Sequence, residues 1–165
     1  MKLIYYPNKF LDTKVDLVDI ENPGFDPKEL KEQMVELMLD EKGVGLSANQ
    51  IELNKQVFVM GGDKMDSTIC INPVVLQHTE EKVKDLEGCL SFPNVYVKVE
   101  RPKEILAEWY DENLEKKRSH ITGYSVKVFL HEWDHLQGVT FKDRVSKLRW
   151  NMSLKKAKKL EKKFA

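Results

Sequence analysis

Two histidines in the sequence are separated by three residues, and a glutamate directly follows the first: His131, Glu132 and His135. In a helix, residues four positions apart lie on one face, so both imidazoles can bind the same metal ion. The Glu132 carboxylate would then lie beside a water molecule bound to that metal. The alternative is a buried helix without a metal, in which burying two imidazoles and a carboxylate on one face would be costly.

Two histidines leave a catalytic metal site one protein ligand short of the usual three. Proteases with this spacing take the third ligand from further downstream, but Phe141 stands where their third histidine would be, and the only downstream glutamate, Glu161, lies in a lysine-rich segment. Cys89 in the segment EGCLSFP is a better candidate, because a thiolate binds soft and borderline divalent metals strongly. The other cysteine, Cys70, lies in an apolar run, and we expect it to be a buried core residue.

A third segment of interest is the glycine-rich stretch GVGLSANQ, which covers residues 43–50. It follows a predicted helix and precedes a predicted strand, which is the reverse of the order in a dinucleotide-binding fingerprint. Taken alone, the segment predicts a glycine that ends a helix, followed by a turn.

Together, GVGLSANQ, EGCLSFP and HEWDH resemble the three signature motifs of the peptide deformylase family, in the family's order and at its separations. The resemblance implies a hydrolase of protein biosynthesis that removes the N-formyl group from the N-terminal formyl-methionine of nascent polypeptides and releases formate. It also implies one divalent metal ion as the cofactor, natively Fe²⁺, with Zn²⁺, Ni²⁺ or Co²⁺ in some preparations.

The resemblance assigns roles to nine residues of this chain. It implies three metal ligands: Cys89, His131 and His135. It implies that Glu132 transfers the proton, and that the Gln50 side chain and the backbone N–H of Leu90 stabilise the developing oxyanion. It implies three substrate-binding residues, of which the two valines would line an apolar pocket for methionine: Val44, Gly45 and Val128.

Two positions depart from the family pattern. Ser47 stands where the family usually has alanine, and Leu130 stands where glutamine is common. Neither position would donate a catalytic group, so the departures concern local packing and substrate preference. Two other classes of function stay open: an HExxH metallopeptidase of broader specificity, and a non-catalytic ribosome-binding relative.

The composition predicts one globular domain over residues 1–165. The chain has 165 residues with no net charge, 41% hydrophobic and 33% charged residues, and it has no apolar run long enough for a membrane span. The first residues, MKLIYYPNKF, lack the apolar core of a signal peptide, and the two cysteines do not form a disulfide pattern, so we expect a cytoplasmic location.

Basic residues are concentrated at the carboxyl terminus. Residues 142–165 contain ten lysines and arginines against two acidic residues. We expect residues 147–165 to form a basic helical tail, which is either a solvated helix face or a surface for a polyanion such as ribosomal RNA. The family resemblance favours the ribosome as the partner, and nothing in the chain indicates a DNA or membrane partner.

The periodicity of apolar residues predicts an α+β fold of helices with short, mostly antiparallel strands. Asp26-Pro27-Lys28-Glu29 is typical of a helix start, and Gly43 should follow the end of that helix. The isolated histidines, His78 and His120, are expected in solvated loops. The predicted strands are Gln56–Met60, Thr68–Leu76, Val95–Glu100 and Ile105–Tyr110, and the other predicted helices are Tyr124–Gln137 and Asn151–Lys163.

Overall fold

A computed structural model describes all 165 residues of the chain. It has three α-helices: α1 (Pro27–Asp40), α2 (Tyr124–Leu136) and α3 (Lys147–Phe164). It has seven strands: β1 (Gly45–Ser47), β2 (Val57–Met60), β3 (Thr68–His78), β4 (Lys82–Cys89), β5 (Phe92–Pro102), β6 (Glu104–Tyr110) and β7 (Lys116–Thr122). None of the helices combines the length and the apolar character needed to cross a membrane.

All strand pairs are antiparallel and form two sheets. The larger sheet has the order β1-β2-β3-β6-β7, and the smaller is the β4-β5 hairpin. Strand β1 therefore lies at one edge of the larger sheet, and β4 has a partner on one side only. The predicted α+β class is confirmed.

Helix α1 begins where the sequence predicts. The Asp26 side chain accepts hydrogen bonds from the N–H groups of Lys28 and Glu29, and Pro27 occupies the first helical turn, where its missing N–H costs nothing. The buried side of the helix carries Leu30, Met34, Val35 and Met38.

Two apolar clusters form the core. The larger contains residues of α1, α2 and strands β1, β2, β3 and β6, and Phe129 of α2 packs edge-on against Phe58 of β2 with ring centroids 5.1 Å apart. The smaller cluster joins β5 to α3, where Trp150 and Ala157 are buried. Helix α2, at the centre of the larger cluster, is therefore held by the sheet while one of its faces supplies the histidines.

Several sequence predictions of secondary structure were wrong at the sheet edges. Strands β1, β4 and β7 were not predicted, and His78 and His120 lie in strands β3 and β7 rather than in loops. Helix α3 begins at Lys147, the first residue of the expected basic tail, and not at Asn151. In β4 only Glu87 is buried, and β7 has no buried residue. A strand without a buried face has no apolar alternation, so its position depends on backbone pairing with a neighbour.

Candidate active site

The three sequence motifs converge on one side of α2. Cys89 is the last residue of β4, and the turn Leu90–Ser91 leads into β5, where Phe92 pairs with Cys89. The short strand β1 and the 3-10 turn after it, which ends in Gln50 and Ile51, also pack on α2. The β1 turn and the hairpin end touch each other, because the Gln50 side chain donates a hydrogen bond to Ser91 at 3.0 Å.

The predicted metal ligands are brought together by this arrangement. One ligand atom from each of Cys89, His131 and His135 lies within 4.8 Å of the other two, and the Cys89 Sγ is 3.3 Å from Nε2 of His135. Burial lowers the pKa of His135, which favours the neutral imidazole that binds metals. Burial also opposes a positive charge on His131, but hydrogen bonds with Cys89 and Glu87 raise the pKa of this imidazole. The ring therefore lies against two groups that can carry negative charge. The donor set fits a divalent cation.

His131 is oriented by a carboxylate that the sequence analysis did not identify. Its Nδ1 lies 3.0 Å from Oε1 of Glu87, which is 4% exposed and lies two residues before Cys89 in β4. Burial by itself would raise the pKa of Glu87, but hydrogen bonds from His131 and Arg101 lower it to about 2, so the group is a carboxylate at neutral pH. With Nδ1 held in this way, Nε2 is left to act as the metal ligand.

Arg101 of β5 links this carboxylate to helix α2. Its Nε and Nη2 donate to the two oxygens of Glu87 at 2.9 and 3.0 Å, and its Nη1 donates to Oδ2 of Asp134 at 2.6 Å. Asp134 also accepts two hydrogen bonds from Arg144, at 3.0 and 2.7 Å. Asp134 is thus a buried carboxylate that ties helix α2 to β5 and to Arg144.

Glu132 is buried and has an unpartnered oxygen. Its side chain is 4% exposed, and Oε2 has no hydrogen-bond partner. Burial raises its pKa to about 7, although the charge on His131 and a hydrogen bond from Ser47 act against that shift. A Cβ atom at Gly45 would lie 2.5 Å from Oε1 of Glu132, so only glycine allows β1 to approach this carboxylate so closely.

Gln50 directs its amide nitrogen at the cysteine. Nε2 lies 3.6 Å from Sγ of Cys89 and donates to Oγ of Ser91 at 3.0 Å, and the side chain is 1% exposed. Its Oε1 accepts hydrogen bonds from Ser47 on the other side. A side-chain N–H donor is therefore held beside the ligand cluster.

A cavity of about 640 Å³ opens onto these groups. Eight of the nine residues to which the sequence assigned a role line it, and the ninth, His135, is fully buried behind them. The Val44 and Val128 side chains contribute to the walls, as do three tyrosines that the sequence analysis did not select: Tyr5, Tyr96 and Tyr124.

The functional residues that sequence reasoning missed are the ones that support the others. Glu87 lies two residues before Cys89, but β4 has no apolar alternation and its register with β5 shifts between these two residues, so spacing alone does not place their side chains on one face. No local signal identifies Arg101, since its partners lie 14 and 33 residues away along the chain.

Three comparisons with known proteins all point to one family. Residues 1–151 match the family model described as polypeptide deformylase. The chain belongs to the polypeptide deformylase family. It is 37% identical to a peptide deformylase of Psychrobacter cryohalolentis over 97% of this chain and 87% of that protein, and 37% identical to one of Aquifex aeolicus over 96% and 95%. A solved peptide deformylase of Plasmodium falciparum superposes with a TM-score of 0.86 at 30% identity, covering 99% of this chain and 96% of that one.

Membership of the deformylase family establishes the reaction. The chain is a hydrolase that removes the N-formyl group from nascent polypeptides, so its substrates are N-formyl-methionyl peptides. The family is metal-dependent, and the cluster of Cys89, His131 and His135 is a candidate site for one ion. Neither a broader metallopeptidase nor a non-catalytic relative is supported by these comparisons.

Proposed function

We propose that Cys89, His131 and His135 hold one divalent ion, natively Fe²⁺, and that formyl hydrolysis takes place in the cavity above it. The observation that carries this proposal is the convergence of the three donor atoms within 4.8 Å of one another. A divalent ion bound there supplies Lewis acidity, which lowers the pKa of water and polarises a carbonyl oxygen. A thiolate with two imidazoles suits iron, zinc, nickel and cobalt.

Glu132 is the proton-transfer group in this proposal. Its unpartnered Oε2 is free to accept a proton from the attacking water, and the raised pKa of about 7 means that the carboxyl group can also return that proton near neutral pH. It delivers the proton to the peptide nitrogen as the bond between that nitrogen and the formyl carbon breaks. The products are formate and a free amino terminus.

Gln50 and Leu90 stabilise the negative charge that develops on the formyl oxygen. The Gln50 amide nitrogen lies 3.6 Å from the Cys89 sulfur, and Leu90 follows Cys89 directly in the chain. The Gln50 side-chain N–H and the Leu90 backbone N–H would thus act as two donors beside the ligand cluster. Loss of one such donor lowers turnover by roughly 10²–10³.

The cavity walls favour an extended peptide as the substrate. Strands β1 and β4 each have one unpaired edge, and Gly45 of β1 and Gly88 of β4 both line the cavity. A peptide lying between them can form backbone hydrogen bonds in the manner of an added strand. Val44 and Val128 supply apolar surface for the methionine side chain, and Gly45 leaves room beside Glu132.

Metal analysis combined with turnover tests this proposal. Protein purified without oxygen should contain one iron per chain and should hydrolyse formyl-Met-Ala-Ser, but should leave acetyl-Met-Ala-Ser intact. Activity of the iron form should decay in air, whereas the nickel form should persist, because a thiolate–iron pair is oxidisable. Equal aerobic half-lives for the two forms would contradict the proposed ferrous centre.

We also propose that the single catalytic domain spans residues 1–165 and that its basic tail, residues 147–165, contacts the ribosome. Helix α3 packs on β5 through Trp150 and Ala157, and six of its lysines from position 155 onwards are all exposed: Lys155, Lys156, Lys158, Lys159, Lys162 and Lys163. An exposed row of positive charge attracts a polyanion, and such contacts weaken steeply as salt increases.

Charge neutralisation tests the ribosome contact without removing the buried residues of α3. Changing Lys155, Lys159 and Lys162 to glutamine should reduce co-sedimentation with ribosomes at low salt and should leave hydrolysis of short formyl-peptides unchanged. The matched control changes three lysines that are exposed elsewhere: Lys28, Lys64 and Lys116. If both triple variants co-sediment like the wild type at every salt concentration, the tail is only a solvated helix.

The proposed location is the cytoplasm. Both cysteines are free thiols, and Cys89 in particular must stay reduced to act as a ligand. Ribosomes and a reducing environment occur together in that compartment.

A further inference from the structure

Ser47 makes contacts that explain the orientation of the Gln50 side chain. It is the last residue of β1, is fully buried, and does not line the cavity. Its hydroxyl donates to Oε1 of Gln50 at 3.0 Å, and its backbone N–H donates to the same oxygen, also at 3.0 Å. The hydroxyl oxygen accepts in turn from the Gln50 backbone N–H, which completes a capping box around the 3-10 turn.

The backbone N–H of Ser47 determines which end of the amide faces the cavity, and the Ser47 hydroxyl adds a second contact to Oε1. If the amide were rotated by half a turn, its NH₂ group would meet the N–H of Ser47, and its oxygen would face the sulfur of Cys89. Both contacts would be unfavourable, because a donor would face a donor and an acceptor would face a thiolate. The observed orientation places Nε2 against Ser91 at 3.0 Å and toward Cys89 at 3.6 Å.

We propose that Ser47 is a positioning residue, which holds the Gln50 amide so that its N–H faces the formyl oxygen. This inference rests on the oxyanion role proposed for Gln50. An alanine at this position keeps the backbone donor but loses the hydroxyl donor, so Oε1 of the amide would be held by one contact instead of two. The hydroxyl also lies within hydrogen-bonding reach of Glu132, but its single proton can serve only one acceptor at a time.

The first test compares kcat and KM in nickel-loaded enzyme. Ser47→Ala should lower kcat about fivefold, the fold-change of one neutral hydrogen bond, and should leave KM unchanged. Ser47→Thr keeps the hydroxyl and should restore most of the activity. The matched control is Ser67→Ala, which removes another buried hydroxyl away from the cavity lining and should leave kcat unchanged.

A double-mutant cycle separates positioning from packing. Gln50→Leu by itself tests the oxyanion role and should lower kcat by a hundredfold or more. Adding Ser47→Ala to Gln50→Leu should then cause no further loss, because Ser47 acts through the missing amide. A further fivefold loss in the double variant would overturn the proposal. The proposal would also be overturned if, in Ser47→Ala, the fall of kcat/KM at acid pH began at a higher pH than in the wild type. Such a shift would show that Ser47 acts on Glu132.

NMR of zinc-loaded protein examines the amide directly and does not depend on activity. In the wild type the Gln50 side-chain NH₂ should be rigid on the nanosecond timescale, and in Ser47→Ala it should become mobile while the backbone amides of β1 keep their order. An equally rigid NH₂ in Ser47→Ala would overturn the positioning role. The remaining outcome is that the Gln50 NH₂ becomes mobile in Ser47→Ala as expected, but Gln50→Leu keeps full turnover. In that case it is the proposed oxyanion role of Gln50 that fails.

Discussion

Nδ1 of His131 lies 3.0 Å from Oε1 of Glu87, a carboxylate on the same strand as Cys89. Strand β4 therefore carries one ligand of the candidate metal site and also the group that orients a second ligand. Any shift of β4 relative to α2 would disturb both at once. Arg101 limits such a shift, because it binds Glu87 on β4 and Asp134 on α2.

Replacing Glu87 should weaken metal binding. Glu87→Gln removes the negative charge from Nδ1 of His131, and changes of this kind cost about 10–100-fold in metal affinity. Competition with a chelator measures the effect. Glu81→Gln is the control, because Glu81 makes only an exposed ion pair with Lys103 at 3.4 Å. Equal metal affinities for the two variants would show that Glu87 does not support the site.

Replacing Arg101 should destabilise the protein. Arg101→Met leaves the buried Glu87 and Asp134 without a cation between them, and breaking a buried ion pair in this way costs about 3–5 kcal/mol. Denaturant unfolding at pH 7 measures the loss in free energy of unfolding. Lys103→Met is the control: it removes an exposed charge between β5 and β6 and should lower the free energy of unfolding by less than about 1 kcal/mol. A loss in Arg101→Met as small as in this control would contradict the prediction.

The contribution of Glu87 to stability should depend on pH. Its pKa is lowered in the folded protein from 4.5 to about 2. A lowered folded pKa gives stability that is fully present above the unfolded value and is lost as the pH falls through the folded value. The wild type should therefore lose its stability advantage over Glu87→Gln between about pH 4.5 and pH 2. Unfolding curves over this range measure it, and a constant difference would be inconsistent with the ionised carboxylate.

Replacing Cys89 should remove the metal. Cys89→Ala leaves two protein ligands, so metal content and turnover should both fall close to zero. Cys70→Ala is the matched control: Cys70 is buried in the core at 1% exposure and lies outside the cavity, so this variant should keep its metal. Full metal occupancy in Cys89→Ala would exclude Cys89 as a ligand.

A side chain at position 45 should block catalysis without affecting metal binding. The Cβ of Gly45→Ala would lie 2.5 Å from Oε1 of Glu132, so the carboxylate must move and turnover should fall at least tenfold. Gly62→Ala is the control, because nothing lies within 4 Å of its added Cβ. Turnover and metal content of the two variants provide the measurement. Wild-type turnover in Gly45→Ala would show that the position of Glu132 is not critical.

The chemistry of the site could be predicted from the sequence because its groups lie in short segments. His131, Glu132 and His135 are within five residues on one helix, and helical geometry alone places both imidazoles on one face. Cys89 was found because a third ligand was needed and the familiar downstream positions were excluded. The start of helix α1 was predicted for the same reason, since the N-cap Asp26 and Pro27 are adjacent in the chain.

The tertiary structure decided what depends on residues far apart in the chain. Glu87 and Arg101 gain their roles only when β4 and β5 pair and pack on α2. The exposed strands β4 and β7 have no apolar alternation, so only pairing with a neighbour defines them. Local periodicity records which face of a segment is buried, but it carries no information about the distant partner that orients a buried charge.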